Sequence, residues 1–167
     1  MLLHGPAGTR RAILLVEDEP AVRETMKEFL ERGLLDTSVA TAATAEEALA
    51  RLEVDRFDVV ISDQHLPGRS GLELLEAVAK AQPACRRVLL TGLTMPEVAL
   101  RAASGAGIHG YIQKPYRRER VVARIRDLLQ PAAADGRVPE RAIRADMGRA
   151  RTRAWHVRGD PAEPLAR

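Results

Sequence analysis

Short apolar runs alternate with amphipathic stretches five times between residues 12 and 130. The runs at residues 13–16, 59–61 and 88–90 are continuously apolar, as is typical of parallel strands that are covered on both faces. The runs at residues 37–41 and 111–112 are more polar or shorter. The pattern therefore predicts five strands, of which the second and the fifth lie at the edges of a sheet.

The stretches between these runs have helical periodicity and carry start signals. Pro20 suits the first position of a helix, and the residues that follow it on one stripe are Val22, Met26, Phe29 and Leu30. Three pairs have the spacing of a capping box: Thr44 with Glu47, Ser70 with Glu73, and Thr94 with Glu97. A last helix is predicted over residues 117–130, with an apolar stripe formed by Val121, Val122, Ile125, Leu128 and Leu129.

Five strand–helix units with short connections predict a doubly wound α/β fold. Right-handed crossovers between parallel strands place helices on both faces of the sheet. The flavodoxin-like strand order 2-1-3-4-5 is favoured because it places the two weak strands at the edges. We expect this domain to cover residues 11–130, between an N-terminal tail at residues 1–10 and a C-terminal extension.

The C-terminal extension at residues 131–167 differs in composition from the rest. Residues 131–136 predict a linker, residues 139–154 have the period of one further helix, and the remainder is predicted to be disordered. The net charge of +3 comes entirely from this tail, which holds 8 Arg and 5 acidic residues, whereas residues 1–130 hold 18 of each sign. One Arg-rich helix is too little for a helix-turn-helix, so a solvated or partner-binding tail is favoured over a tail that binds nucleic acid.

Composition narrows the class of protein further. The apolar fraction of 46% is ordinary for a globular protein, and with 3% aromatic residues the core must be built from aliphatic side chains. The single cysteine, Cys85, excludes an intramolecular disulfide and is expected in the loop before the fourth strand. No run approaches the ~18 apolar residues of a membrane span, and the N-terminus has no signal-peptide pattern. We expect a cytoplasmic protein without membrane contact.

Ionisable and polar side chains follow the predicted strands. Glu17 and Asp18 follow the first strand, Asp63 the third, Thr91 the fourth and Lys114 the fifth. In open parallel sheets, ligands bind at this edge, near the point where the strand order reverses. Three carboxylates there repel one another unless a hard divalent cation such as Mg²⁺ lies between them. Asp63 could then attack a phosphoryl group, whose oxygens the metal, Lys114 and the Thr91 hydroxyl stabilise.

Four segments together resemble the receiver family of two-component signalling: residues 13–20 (ILLVEDEP), 59–71 (VVISDQHLPGRSG), 89–92 (LLTG) and 110–116 (GYIQKPY). The resemblance covers about residues 10–130. It implies a CheY-like receiver domain of a response regulator, in which Asp63 accepts a phosphoryl group from a sensor histidine kinase or a phosphotransfer protein. Such a domain is a signalling switch that catalyses only its own phosphorylation and dephosphorylation.

The resemblance also implies a ligand set for the metal. Asp18 and Asp63 would bind Mg²⁺ (or Mn²⁺) directly, and Glu17 would bind it through water. The backbone carbonyl of His65 would be a further ligand.

Further positions acquire roles from the same resemblance. Thr91 would be the switch hydroxyl, Lys114 the phosphate-binding lysine before a cis Pro115, and Tyr111 the aromatic that turns inward when Thr91 moves. His65 and Leu93 would border the path by which water reaches the acyl phosphate. His65 stands where the family often has Met or Asn, and the apolar Leu93 does not orient water, so a moderately long-lived phosphorylated state is predicted.

Two other functions use part of the same pattern. A haloacid-dehalogenase-like phosphohydrolase has a similar nucleophile, metal, Thr and Lys, but it needs a second Asp two residues after the nucleophile, where this chain has His65. A transcription regulator would bind DNA through the tail.

The chain carries no recognisable output domain, and its downstream partner is unspecified. Residues 107–110 lack the acids typical of dimerising receivers, so a monomer or a weak phosphorylation-dependent dimer is predicted.

Overall fold

A computed structural model describes residues 10–92 and 107–130, which belong to one compact unit. Several predictions concern positions outside these ranges: the tails at residues 1–9 and 131–167, the helix at residues 139–154, the Thr94–Glu97 capping box and Leu93. Within the described ranges, no helix has the length and apolar character needed to cross a membrane.

The described residues form five parallel strands and four helices. The strands are β1 (Arg11–Val16), β2 (Thr37–Ala42), β3 (Val59–Asp63), β4 (Arg86–Thr91) and β5 (Gly110–Gln113). The helices are α1 (Pro20–Gly33), α2 (Ala45–Val54), α3 (Gly71–Ala81) and α4 (Arg118–Leu129). The strand order is β2-β1-β3-β4-β5, which confirms the predicted order and places the two weaker strands at the edges.

The side chains of the strands alternate between two hydrophobic clusters, one on each face of the sheet. One cluster joins the strands to α2 and α3 and includes Leu14, Val16, Val60, Leu75 and Leu89. The other joins them to α1 and α4 and includes Ile13, Leu15, Met26, Ile61, Leu90 and Ile125. Because successive residues of a strand point to opposite faces, a strand covered on both sides must be apolar throughout. The continuous apolar runs of β1, β3 and β4 therefore follow directly from the doubly wound fold.

Local start signals begin the helices where the sequence predicts. Pro20 is the first residue of α1. At α3, the Ser70 side chain accepts a hydrogen bond from the Glu73 N–H, and the Glu73 carboxylate accepts one from the Ser70 N–H, which makes a complete capping box. At α2, Thr44 caps the Glu47 N–H, but the Glu47 carboxylate reaches the Ala43 N–H instead of the Thr44 N–H. The start of α2 therefore has one of the two hydrogen bonds of the predicted capping box, and the other is made with the residue before Thr44.

A buried arginine, Arg87, connects two loops at the amino edge of the sheet. Its guanidinium donates hydrogen bonds to the carbonyls of Pro83 (3.3 Å), Cys85 (2.9 Å) and Gly107 (3.0 Å). Cys85 directly precedes β4, as predicted, and burial raises the pKa of its thiol to about 11. Arg87 thus ties the loop before β4 to the loop before β5, although the sequence alone marks it only as a charge next to an apolar run.

His109 is held against the Arg87 backbone by two hydrogen bonds, one through its imidazole and one through its own N–H. The Arg87 N–H donates to His109 Nδ1 (3.1 Å), and the His109 N–H donates to the Arg87 carbonyl (2.8 Å). Nδ1 accepts a hydrogen bond only while it carries no proton. Burial, together with the charges of Arg87 and Arg86, lowers the pKa of His109 from 6.5 to about 4.

Acid is expected to destabilise the fold through His109. The unfolded chain takes up the His109 proton near pH 6.5, whereas the folded chain takes it up only near pH 4. The stability that the neutral imidazole contributes is therefore fully present above pH 6.5 and is lost as the pH falls toward 4. The free energy of unfolding falls by about 1–3 kcal/mol in total over this range. Urea unfolding of the native chain and of His109→Asn, which keeps an acceptor but does not titrate, measures this loss. Stability curves of the two proteins that stay parallel between pH 7 and 4 would contradict it.

Three arginines at the start of α4 are exposed to solvent: Arg117, Arg118 and Arg120. Arg118 also has a specific contact, because its guanidinium lies 5.8 Å from the centre of the Phe29 ring on α1. Such a cation–π contact contributes about 0.5–1 kcal/mol at an exposed site. Arg118 therefore helps to dock α4 on α1 and is not only a solvated charge.

Candidate acidic site at the carboxyl edge of the sheet

Hydrogen bonds beyond the strand ends hold the loops at the carboxyl edge of the sheet. Each bond continues a parallel ladder by one step: Glu17 N–H to the Ala42 carbonyl (3.1 Å), Gln64 N–H to the Leu90 carbonyl (2.8 Å), and Lys114 N–H to the Thr91 carbonyl (2.8 Å). The residues that follow β1, β3 and β5 are therefore fixed relative to the sheet. Their side chains project from a rigid edge.

The three predicted carboxylates meet at this edge. Glu17, Asp18 and Asp63 each offer an oxygen, and these oxygens lie within 4.8 Å of one another. Glu17 is 2% exposed and Asp63 is 6% exposed, whereas Asp18 is open to solvent. Two buried carboxylates and one exposed carboxylate thus share a small space that is accessible from one side.

Lys114 supplies a positive charge to this cluster. Its Nζ donates a 2.8 Å hydrogen bond to Asp63 Oδ2 and lies 3.6 Å from Glu17 Oε2. Burial alone lowers the pKa of the ammonium group, but the hydrogen bond to Asp63 and the charges of both carboxylates outweigh burial, so the pKa lies above its ordinary value. Lys114 is therefore a permanent cation beside Asp63. The Lys114–Pro115 peptide bond is cis, as the resemblance implies.

The pKa of Glu17 reflects both its burial and the neighbouring charges of the cluster. Its pKa is raised, first because the carboxylate is buried and further because Asp63 is close, although Lys114 opposes the shift. Glu17 Oε2 is buried and makes no hydrogen bond. An acidic group with a buried, unbonded oxygen fits a hard divalent cation, which prefers oxygen ligands and offsets their repulsion.

Backbone geometry shapes the loop on the other side of Asp63. The Gly71 N–H donates to the Gln64 carbonyl (3.0 Å), which closes the loop between β3 and α3. A Cβ atom at Gly71 would lie 1.9 Å from the Asp63 carbonyl oxygen, so only glycine fits. The Ser62 hydroxyl donates to the same carbonyl (2.9 Å). Sequence reasoning quoted Gly71 within a motif but missed this role, because no local pattern shows how near the two segments come.

A second supporting residue, Arg23 on α1, was also missed. Its guanidinium donates to the carbonyls of Glu17 (2.7 Å) and Asp18 (3.2 Å). Arg23 thereby holds the backbone of the acidic pair. Its position on the first turns of the helix after the acidic residues is a signal that could have suggested it.

The remaining predicted site residues lie around the cluster. Thr91 is fully buried at the end of β4, and Tyr111 is half-buried on β5. His65 is exposed, and its N–H lies 3.3 Å from Asp63 Oδ1 as a hydrogen-bond donor. The structure thus brings Glu17, Asp18, Asp63 and Lys114 into one site, with Thr91 on the adjacent strand and His65 at the rim. Leu93 lies outside the described residues.

This fold and this edge define a class of protein: an open parallel α/β domain with an acidic site and a lysine at the point where the strand order reverses. A family model described as "Response regulator receiver domain" matches residues 13–126. The chain therefore belongs to the receiver family of two-component response regulators, which is a family of signalling domains. The resemblance inferred from the four sequence segments is confirmed.

Individual relatives agree with this membership. The chain is 28% identical over 124 residues to the hydrogenase transcriptional regulatory protein HoxA of Cupriavidus necator, covering 74% of this chain and 25% of HoxA. It is 32% identical over 154 residues to the response regulator protein PilR of Pseudomonas aeruginosa, covering 84% of this chain and 34% of PilR. The structure of the chemotaxis response regulator CheY4 of Vibrio cholerae superposes with a TM-score of 0.66 at 30% identity, covering 72% of this chain and all of CheY4.

This chain is much shorter than the two regulatory proteins that it matches. The chain spans 25% of HoxA and 34% of PilR. The family is thus established for the domain at residues 13–126.

Proposed function

We propose that this domain is a phosphorylation-driven switch whose phosphoryl acceptor is Asp63. The observation that carries the proposal is the cluster of Glu17, Asp18 and Asp63 within 4.8 Å, with Lys114 Nζ 2.8 Å from Asp63. The phosphodonor is a sensor histidine kinase or a phosphotransfer protein, and the expected compartment is the cytoplasm. In the transfer, an Asp63 oxygen forms a bond to phosphorus while the P–N bond of the phosphohistidine breaks and its electron pair stays on the imidazole.

The metal site consists of the same acidic residues. Asp18 and Asp63 would ligate Mg²⁺ or Mn²⁺ directly, with Glu17 acting through water and the His65 backbone carbonyl as a further ligand. The bound cation supplies positive charge to the oxygens of the phosphoryl group as they are transferred. Lys114, whose Nζ lies 2.8 Å from Asp63 Oδ2, supplies a second positive charge next to the nucleophile.

Asp63 is positioned to be the nucleophile by its own contacts. Lys114 holds Oδ2, while Oδ1 faces the N–H of His65 at 3.3 Å. Both contacts hold the carboxylate in one orientation and place donors where charge develops on the phosphoryl oxygens. The Thr91 hydroxyl, on the neighbouring strand, would complete the set of donors.

The switch follows from the charge that phosphorylation adds. Thr91 would turn toward the phosphoryl group, and Tyr111 would follow it inward, so that the surface around β5 changes for a downstream protein. Moving the population from 1:99 to 99:1 requires phosphorylation to favour the active state by about 5.5 kcal/mol. We expect His65 and Leu93 to tune the lifetime of the phosphorylated state.

Removal of divalent metal is expected to stop phosphorylation. In the presence of Mg²⁺, a small phosphodonor such as acetyl phosphate should label the chain, and an excess of EDTA should slow labelling by about a hundredfold, because three carboxylates then repel the incoming phosphate. Labelling measured by phosphate-affinity electrophoresis tests this directly. Restoration by Mg²⁺ or Mn²⁺ in excess of the EDTA is the control. Labelling that is insensitive to EDTA would exclude the proposed metal site.

A further inference from the structure

Gln64, the residue after Asp63, carries a buried carboxamide that the proposed mechanism does not use. It is 6% exposed, and its Oε1 has no hydrogen-bond partner. The backbone on which it sits is fixed, because its N–H donates to the Leu90 carbonyl (2.8 Å) and its carbonyl accepts from the Gly71 N–H (3.0 Å). The backbone that carries the unpaired oxygen is therefore hydrogen-bonded on both sides of the residue.

Gln82, a glutamine buried to the same degree, shows how such a side chain is ordinarily accommodated. It is 5% exposed, and its Oε1 accepts a hydrogen bond from the Phe57 N–H (3.0 Å). Its Nε2 donates to the carbonyls of Leu52 (3.0 Å) and Asp55 (2.7 Å). An unpaired buried acceptor costs its desolvation, which an apolar side chain of similar size avoids. Gln64 thus disfavours the conformation described here, whereas Gln82 stabilises it.

The sheet register places Gln64 beside Thr91. Asp63 is in register with Leu90, and the Gln64 N–H continues this ladder, so the next pair along the two chains is Gln64 and Thr91. Residues in register on neighbouring strands lie on the same face of a sheet. Tyr111 belongs to that face as well, since it is in register with Leu89, two residues before Thr91. The unpaired oxygen therefore lies on the face of the two proposed switch residues.

We propose that Gln64 is a positioning residue that biases the Thr91 switch toward its phosphorylated conformation. Its amide oxygen, unpaired in the unphosphorylated chain, gains a hydrogen-bond donor from the Thr91–Gly92 end of β4 when that end rearranges around a phosphoryl group on Asp63. A group can shift a two-state equilibrium only by the difference in its interactions between the states, and an acceptor that is bonded in one state alone provides such a difference. The inference depends on the proposed function, because it needs Asp63 to be the phosphoryl acceptor.

Two matched substitutions test this in the full chain, with Mg²⁺ and beryllium fluoride as the mimic of the acyl phosphate. Gln64→Leu should raise the melting temperature of the free protein by about 2–4 °C, because the unpaired oxygen is gone. It should also weaken beryllium fluoride binding about fivefold, because leucine cannot accept the hydrogen bond that Gln64 gains in the phosphorylated conformation. Gln82→Leu should lower the melting temperature by several degrees and leave beryllium fluoride binding within about twofold.

Each outcome decides between the alternatives. Weaker binding together with a higher melting temperature of free Gln64→Leu supports the inference. Unchanged binding, or a lower melting temperature of the free variant, overturns it and leaves Gln64 without a role in the switch. If the native chain itself does not respond to beryllium fluoride with Mg²⁺, it is the proposed function that fails.

Discussion

Substituting Asp63 with Asn should reduce phosphorylation by a small phosphodonor in Mg²⁺ by about a hundredfold or more. The amide that replaces the carboxylate carries no negative charge, so its oxygen is a poor nucleophile and a poor ligand for a divalent cation. The contact with Lys114, 2.8 Å in the native protein, loses its ionic component as well. Phosphate-affinity electrophoresis or intact mass measures the labelled fraction over time.

Asp58→Asn is the matched control for this substitution. Asp58 precedes β3 at the opposite edge of the sheet, where its carboxylate pairs with Arg11 (3.0 Å) and accepts a hydrogen bond from the Ala12 N–H (2.9 Å). Its loss removes one carboxylate next to the same strand but none from the acidic site, so labelling should persist at the native rate. Undiminished labelling of Asp63→Asn would remove Asp63 as the acceptor.

Substituting Gly71 with Ala should destabilise the fold by about 3 kcal/mol or more. The added Cβ would lie 1.9 Å from the Asp63 carbonyl oxygen, and both sides of this contact are backbone. Neither side can move freely, because the Gly71 N–H is bonded to Gln64 and the Asp63 carbonyl to the Ser62 hydroxyl. Urea unfolding at neutral pH measures the change in the free energy of unfolding.

Gly92→Ala controls for the loss of backbone freedom that any such substitution brings. A Cβ at Gly92 would meet no atom within 4 Å, so its effect on stability should stay within about 0.5 kcal/mol. Comparable stabilities of the Gly71→Ala and Gly92→Ala proteins would mean that the loop after β3 adapts easily. The close approach that holds Asp63 would then not be a constraint.

Much of this fold could be predicted because its signals are local. The apolar runs of β1, β3 and β4, Pro20 at the start of α1, and Ser70 with Glu73 at the start of α3 all lie within a few neighbouring residues. The strand order also followed, because only the edge positions suit the weaker runs of β2 and β5. The acidic site followed in turn, since side chains that follow parallel strands gather at one edge of the sheet.

The contacts that hold the loops at the two edges of the sheet could not be predicted in this way. Arg23 is bonded to carbonyls of the acidic loop, Gly71 lies against Asp63, and Arg87 spans from the loop before β4 to the loop before β5. Each of these depends on how near two segments come after packing. No periodic pattern in the sequence around a single arginine or glycine predicts such a contact.

The sequence by itself determined the family, the order of the strands and the identity of the acidic cluster, because these depend on residue type and on spacing along the chain. Only the tertiary structure decided which polar groups are satisfied: Gln82 is bonded at both ends of its amide, while the amide oxygen of Gln64 is buried and unpaired. The physical reason is that a hydrogen bond depends on distances of a few tenths of an ångström between segments far apart in sequence, and packing sets those distances.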